Sequence, residues 1–183
     1  MNNPEHMNHD AVIDINDGLK NERIMDAVKE VIAEYGFAIQ GVFHPGTVKP
    51  SYLYTVGLTD TLGAEVIVVA EADIMALHPL INSAVQQAIA NDDSEFMQEY
   101  EVGMLIDGVT PMKADFVEVT NHPAIPHLVV QRVGDVKRVF QLSLADDNNL
   151  LPGEEGYNEE WVQDLEAALP DDIKLPAQEE QTN

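Results

Sequence analysis

Four sets of residues have types and spacings that could do chemistry. The first lies in Ser51-Tyr52-Leu53-Tyr54-Thr55-Val56-Gly57-Leu58-Thr59. Along an extended segment side chains alternate, so Tyr52, Tyr54 and Val56 share one face and Leu53, Thr55 and Gly57 the other. Tyr54 or Thr55 can offer a hydroxyl to a cleft, and Gly57 lets a ligand or another backbone approach closely. The plainer reading of the same residues, and the favoured one, is as core aromatics, a β-former and a bulge. The second set is His44 with Glu65. His44 closes one apolar segment, and Glu65 opens the run Glu65-Val66-Ile67-Val68-Val69-Ala70. A buried acid there needs a partner or water. A His–Glu pair can perform general acid–base work or form a structural hydrogen bond. No third group is in place to orient the pair.

The third set is His78, His122 and His127, with carboxylates abundant around them. Imidazole and carboxylate suit several divalent metals, but no His-x-x-x-His or His-Glu-x-x-His spacing is present, so these read as surface or loop histidines. His6, His9 and Asp10 read likewise as a solvated tail, and no metal site or cofactor is expected. The fourth is Gln141, in an apolar alternating segment. A glutamine buried there satisfies main-chain or side-chain groups, with ligand binding as the alternative.

The elements that must position these groups follow from periodicity. Ile24, Val28, Val31, Ile32 and Tyr35 recur at helical spacing and predict a helix over 21–35, capped by Asn21 and closed by Gly36. Alternating or continuous apolar segments predict strands over 37–43, 52–58, 64–70, 102–106, 114–119 and 138–144. Ile74, Leu77, Ile81, Val85 and Ile89 predict a helix over 74–90, with Pro79 either near its start or at a break. Asn158 is placed to cap a short helix over 159–169. Residues 121–133, with Pro123 and Pro126, are ambiguous. The expected class is α+β: one largely antiparallel sheet of five or six strands with helices packed on one side. The expected division is an acidic tail over 1–18, a single domain over 19–169 and a second acidic tail over 170–183.

The central Tyr-Thr-Val-Gly-Leu segment, the preceding Tyr35-Gly36-Phe37 and the later Phe140-Gln141-Leu142 and Pro152-Gly153 resemble the domain of unknown function 4262 family over roughly 30–157. The resemblance implies a fold and carries no activity to transfer. Glu65 stands where the family motif usually has Pro-Glu, with Ala64 in place of the proline. Gln141 stands in its Gln-Leu motif, and the family tends to place a short helix in the 121–133 region.

Charge bounds the partners. The chain of 183 residues carries 33 Asp and Glu against 9 Lys and Arg, a net −24. From Glu71 to Glu118 there are ten acids and one base; from Asp146 to Glu180 there are twelve acids and one base. Phosphate backbones and anionic membranes are bound through Lys and Arg, so direct nucleic-acid and membrane binding are disfavoured. A basic protein surface is the matching partner, with solubility as the plain alternative. There is no cysteine, which excludes disulfides and thiolate catalysis. The longest strongly apolar run, Val66 to Ala70, is far below a membrane span, and no secretory leader is recognisable; a cytoplasmic protein is expected. No phosphate-binding glycine loop is present, and Asp146-Asp147-Asn148-Asn149 lacks the pattern of a calcium loop.

The function expected from these features is a non-enzymatic acidic binding module for a basic protein surface. Two alternatives stand beside it: a small hydrolase-like enzyme with Tyr54, Thr55, His44 and Glu65 around a cleft, and an acidic mimic of nucleic acid that blocks a DNA-binding protein.

Overall fold

The computed structural model describes residues 18–42, 50–70, 74–103, 111–119, 138–161 and 163–164. The elements are α1 (Gly18–Tyr35), β1 (Ala38–Val42), β2 (Ser51–Val56), α2 (Thr59–Leu62), β3 (Glu65–Ala70), α3 (Ile74–Ala90), β4 (Tyr100–Val102), β5 (Met112–Glu118) and β6 (Val139–Leu144). The strands form one sheet in the order β1-β2-β3-β6-β5-β4. All neighbours are antiparallel except β3 and β6, which run parallel from Glu65↔Val139 to Ile67↔Gln141. The α+β class and the mostly antiparallel sheet are those expected from the periodicity.

β3 has an almost unbroken Val/Ile sequence because both faces of the sheet are covered at its centre. On one face Leu53, Val66, Val68, Phe140 and Leu142 pack beneath Leu77, Ile81, Ala84, Val85 and Ala88 of α3. On the other, Tyr52, Tyr54, Val56, Ile67 and Val69 pack against Val28 of α1, with Ile24 and Ile32 at its margin. The helices are therefore divided between the two faces, not gathered on one side. The period of two along β2 and β3 leaves an apolar row on each face, and each row needs its own cover.

Several boundaries differ from the periodicity. α1 is already helical at Gly18, so Asn21 is interior and does not cap it. Val31 and Tyr35 are 39% and 64% exposed; the covered stripe runs through Ile24, Met25, Val28 and Ile32, with Val31 at its outer margin beside Ile24. Gly36 ends the helix as expected, at φ +86 with its N–H donating to the Ile32 carbonyl. β2 stops at Val56 and not at residue 58, because Gly57 takes φ +91 and the chain turns into α2. α3 runs unbroken from Ile74 with Pro79 inside it, giving up the one bond that residue 79 would donate to Met75. β4 lies at Tyr100–Val102, ahead of the expected 102–106, and ends where Gly103 takes φ +147.

The helix expected over 159–169 is not formed in its described part. Trp161 closes a single turn on the Asn158 carbonyl, and residues 163 and 164 are irregular. The Trp161 and Gln163 carbonyls accept bonds from Tyr157 Oη and Gln141 Nε2, and a helix would need those carbonyls for its next turn. His44, His122, His127, the 1–17 segment, 121–133 and the chain beyond residue 164 lie outside the described residues. Among the described residues, no helix is long and apolar enough to cross a membrane.

Candidate functional site

The antiparallel register of β2 and β3 ends at Tyr54↔Ile67. Beyond it the strands separate, and side chains replace the ladder. Thr55 Oγ1 accepts the Val66 N–H at 2.8 Å and donates to Glu65 Oε2 at 2.6 Å. The Val66 carbonyl lies 3.5 Å from the same hydroxyl, so the single hydroxyl proton goes to the carboxylate. Glu65 then fills the fork. Its Oε1 accepts from the N–H groups of Gly57 (3.0 Å) and Thr59 (3.1 Å) and from Thr59 Oγ1 (2.9 Å); its Oε2 also accepts the Leu58 N–H at 3.3 Å.

Three successive main-chain N–H groups converging on one carboxylate form an anion nest. Two of them, Leu58 at the N-cap of α2 and Thr59 at its first position, are groups that a helix start leaves without internal acceptors. Thr55 is fully buried and Glu65 is 2% exposed. Five donors engage a group with about four lone-pair sites. The requirement that a buried Glu65 find partners is therefore met within ten residues of chain. Of the candidate residues, the fold brings together Thr55, Gly57 and Glu65. It places Tyr54 on the opposite face of β2, buried against Tyr52 with ring centroids 6.3 Å apart. Burial, then the neighbouring Tyr52, raises the Tyr54 pKa above the ordinary phenol value.

Gly57 is needed twice over. Its φ is +91, and a Cβ built there would lie 3.0 Å from Ile32 Cδ1 and 3.1 Å from two further Ile32 carbons. The close approach read from the sequence is thus made by a side chain of α1. Gly57→Ala should lower stability by about 2 kcal/mol or more, from backbone strain plus the crowding. Gly63→Ala, at φ +74 with nothing within 4 Å, carries the strain alone and should cost less. Chemical denaturation of the two variants checks the order, and Ile32→Val should relieve only the Gly57 variant.

Gln141 belongs to a separate site. Its Nε2 donates to the Gln163 carbonyl at 2.7 Å. His78 is half-buried on α3; His122 and His127, the other two histidines of that set, lie outside the described residues. Among the described residues, no three His, Cys, Asp or Glu are grouped to hold a metal.

Two further carboxylates organise loops, and the sequence reading missed both. Asp93, after α3, accepts the N–H groups of Met97 and Gln98 at 3.2 Å each and the Tyr100 hydroxyl. Burial alone would raise its pKa, but the Tyr100 hydroxyl and these amides outweigh burial and hold it below the ordinary carboxylate value. Asp146 accepts the N–H groups of Asn148, Leu150 and Asn158 at 2.7–3.0 Å, tying both ends of the 146–158 loop. The available signal was an Asp or Asn cluster directly after a helix or strand, the usual composition of a side-chain-closed turn.

The Tyr-Thr-Val-Gly-Leu segment and Glu65, now seen as one hydrogen-bonded unit, fall within a family-model match. The model for the domain of unknown function DUF4262 matches residues 31–158. The chain belongs to the DUF4262 family. No curated protein and no solved structure matches it. The DUF4262 match begins within α1 and ends at Asn158, so it takes in the Glu65 nest and the Asp93 and Asp146 loops, and stops short of Gln163.

Proposed function

We propose that this DUF4262 protein is a non-enzymatic binding module that docks on a basic protein surface. The observation that carries the reading is Met97, 83% exposed at the tip of a loop with little freedom to move. Asp93 holds the Met97 and Gln98 amides, and Phe96 beside them is 2% exposed between Phe116 and Phe140. An ordered apolar tip loses little entropy on docking, and methionine is enriched at interfaces.

The surroundings of the tip select the partner's sign. Asp92, Glu95, Glu99 and Glu101 are all exposed, and no Lys or Arg occurs between Lys49 and Lys113. Arg138 pairs with Glu95 at 3.2 Å and Glu118 at 3.0 Å; among the described residues Asp92, Glu99 and Glu101 have no such ion pair, and these are the carboxylates a basic partner would meet. The loss of Thr55 and Glu65 to a buried internal network supports a non-enzymatic reading over a cleft built on those two groups.

The test is affinity capture from the native host at low and high salt, using wild type and Met97→Asp. A partner with an excess of Lys and Arg should be held at low salt, lost steeply as salt rises, and weakened at least tenfold by Met97→Asp. Capture that ignores both salt and Met97, or capture of nothing, ends this reading. Release of the partner by duplex DNA would turn it toward the nucleic-acid mimic.

A further inference from the structure

Leu144, the last residue of β6, has no strand on one side among the described residues. On the other side, the Val119 N–H donates to the Val139 carbonyl and the Ala145 N–H to the Lys113 carbonyl. The main-chain groups of odd-numbered β6 residues therefore face β5, and those of even-numbered residues face β3. The parallel register with β3 ends at Gln141. Gln163 occupies the gap that follows. Its Oε1 accepts the Leu144 N–H at 2.7 Å, and its Nε2 donates to the Leu144 carbonyl at 2.8 Å and to Tyr157 Oη at 3.0 Å. Its main-chain carbonyl accepts Gln141 Nε2 at 2.7 Å. One glutamine is thus recognised through both its side chain and its main chain.

The fit is chemically selective. A glutamate would set an acceptor against the Leu144 carbonyl, and an asparagine is one methylene too short to keep the main-chain and side-chain bonds together. Sites built to hydrogen-bond a group discriminate strongly against analogues that lack it. The strap that delivers Gln163 is held differently from the rest of the fold. No described residue of 152–164 belongs to either apolar cluster. Polar bonds exchangeable with water hold it, which is the character of segments that open locally.

We propose that the β3–β6 fork is a glutamine-binding subsite, occupied in cis by Gln163 and open to a glutaminyl residue from elsewhere when the strap lifts. The subsite uses other elements than the Met97 loop and stands independently of it. The recognised chemistry is a primary carboxamide two methylenes from a residue that carries its own carbonyl. Its source is either a glutamine in an extended peptide or free L-glutamine.

The experiment uses full-length Gln163→Ala, isotope-labelled for amide NMR, titrated with a synthetic copy of residues 158–169, the same peptide with glutamate at its glutamine position, and L-glutamine. The glutamine peptide should shift the Leu144 amide and the Gln141 side-chain amide saturably. It should bind at least tenfold tighter than to wild type and at least tenfold tighter than the glutamate peptide. The same shifts with L-glutamine alone assign the source to the free amino acid. Unmoved resonances with both ligands at millimolar concentration overturn the proposal and make Gln163 a fixed brace. Should Gln163→Ala not fold, Gln163→Glu, which keeps the side-chain length and loses the donor, carries the same titration: saturable shifts support the subsite, and unmoved resonances overturn it.

Discussion

Glu65→Ala should destabilise the protein by about 3 kcal/mol or more, read as a fall in the urea midpoint with an unchanged slope. The substitution leaves the N–H groups of Gly57, Leu58 and Thr59 and the hydroxyls of Thr55 and Thr59 without their acceptor. A buried donor deprived of its partner costs about 1–3 kcal/mol. The effect stays below the sum of five such terms because Thr59 is only half-buried and water can enter a cavity left by a carboxylate. Against a total stability of about 5–15 kcal/mol, the loss is large. Glu65→Gln separates shape from chemistry: the amide fills the same space but turns an NH2 toward groups that are themselves donors, so it should recover little. A Glu65→Gln variant as stable as wild type would show that the nest tolerates a donor and that packing, not hydrogen bonding, holds the turn.

The second large effect is expected at Phe96. Its ring is 4.8 Å from Phe116 and 4.5 Å from Phe140 between centroids. Phe96→Ala should cost about 3–5 kcal/mol, the range for truncating a buried aromatic. The backbone adds a signature of its own, because Phe96 sits at φ +53. Alanine keeps the strain of that conformation and glycine does not. Phe96→Gly should therefore be no less stable than Phe96→Ala, the reverse of the usual order inside regular structure. Loss of the Phe96 anchor also frees the Met97 loop, so Phe96→Leu, which keeps most of the fold, should weaken partner capture more than it lowers stability.

These two sites show where local pattern stops being informative. Glu65 is conspicuous as an acid opening a Val/Ile run, and burial implies that it needs partners. Their identity depends on β2 and β3 separating after Tyr54↔Ile67, a register that no local pattern encodes. Phe96 and Met97 are adjacent apolar residues in a polar loop, and composition treats them alike. Asp93 and the aromatic cluster decide that one is buried and the other exposed.

The alternating or continuous apolar runs of β2, β3, β5 and β6, the helical repeats of α1 and α3, and Gly36 and Gly57 as turning points are written in the chain itself, since each follows from a local pattern or a local dihedral preference. So is the net charge of −24, a sum over residue types that needs no fold. Tertiary structure alone decided that α1 and α3 take opposite faces, that β3 meets β6 in parallel, and that Gln163 abandons a helical pattern to complete Leu144. Those outcomes rest on which distant groups satisfy one another's hydrogen bonds and cover one another's apolar rows. Such matching is a property of pairs far apart in sequence, beyond the reach of any window along it.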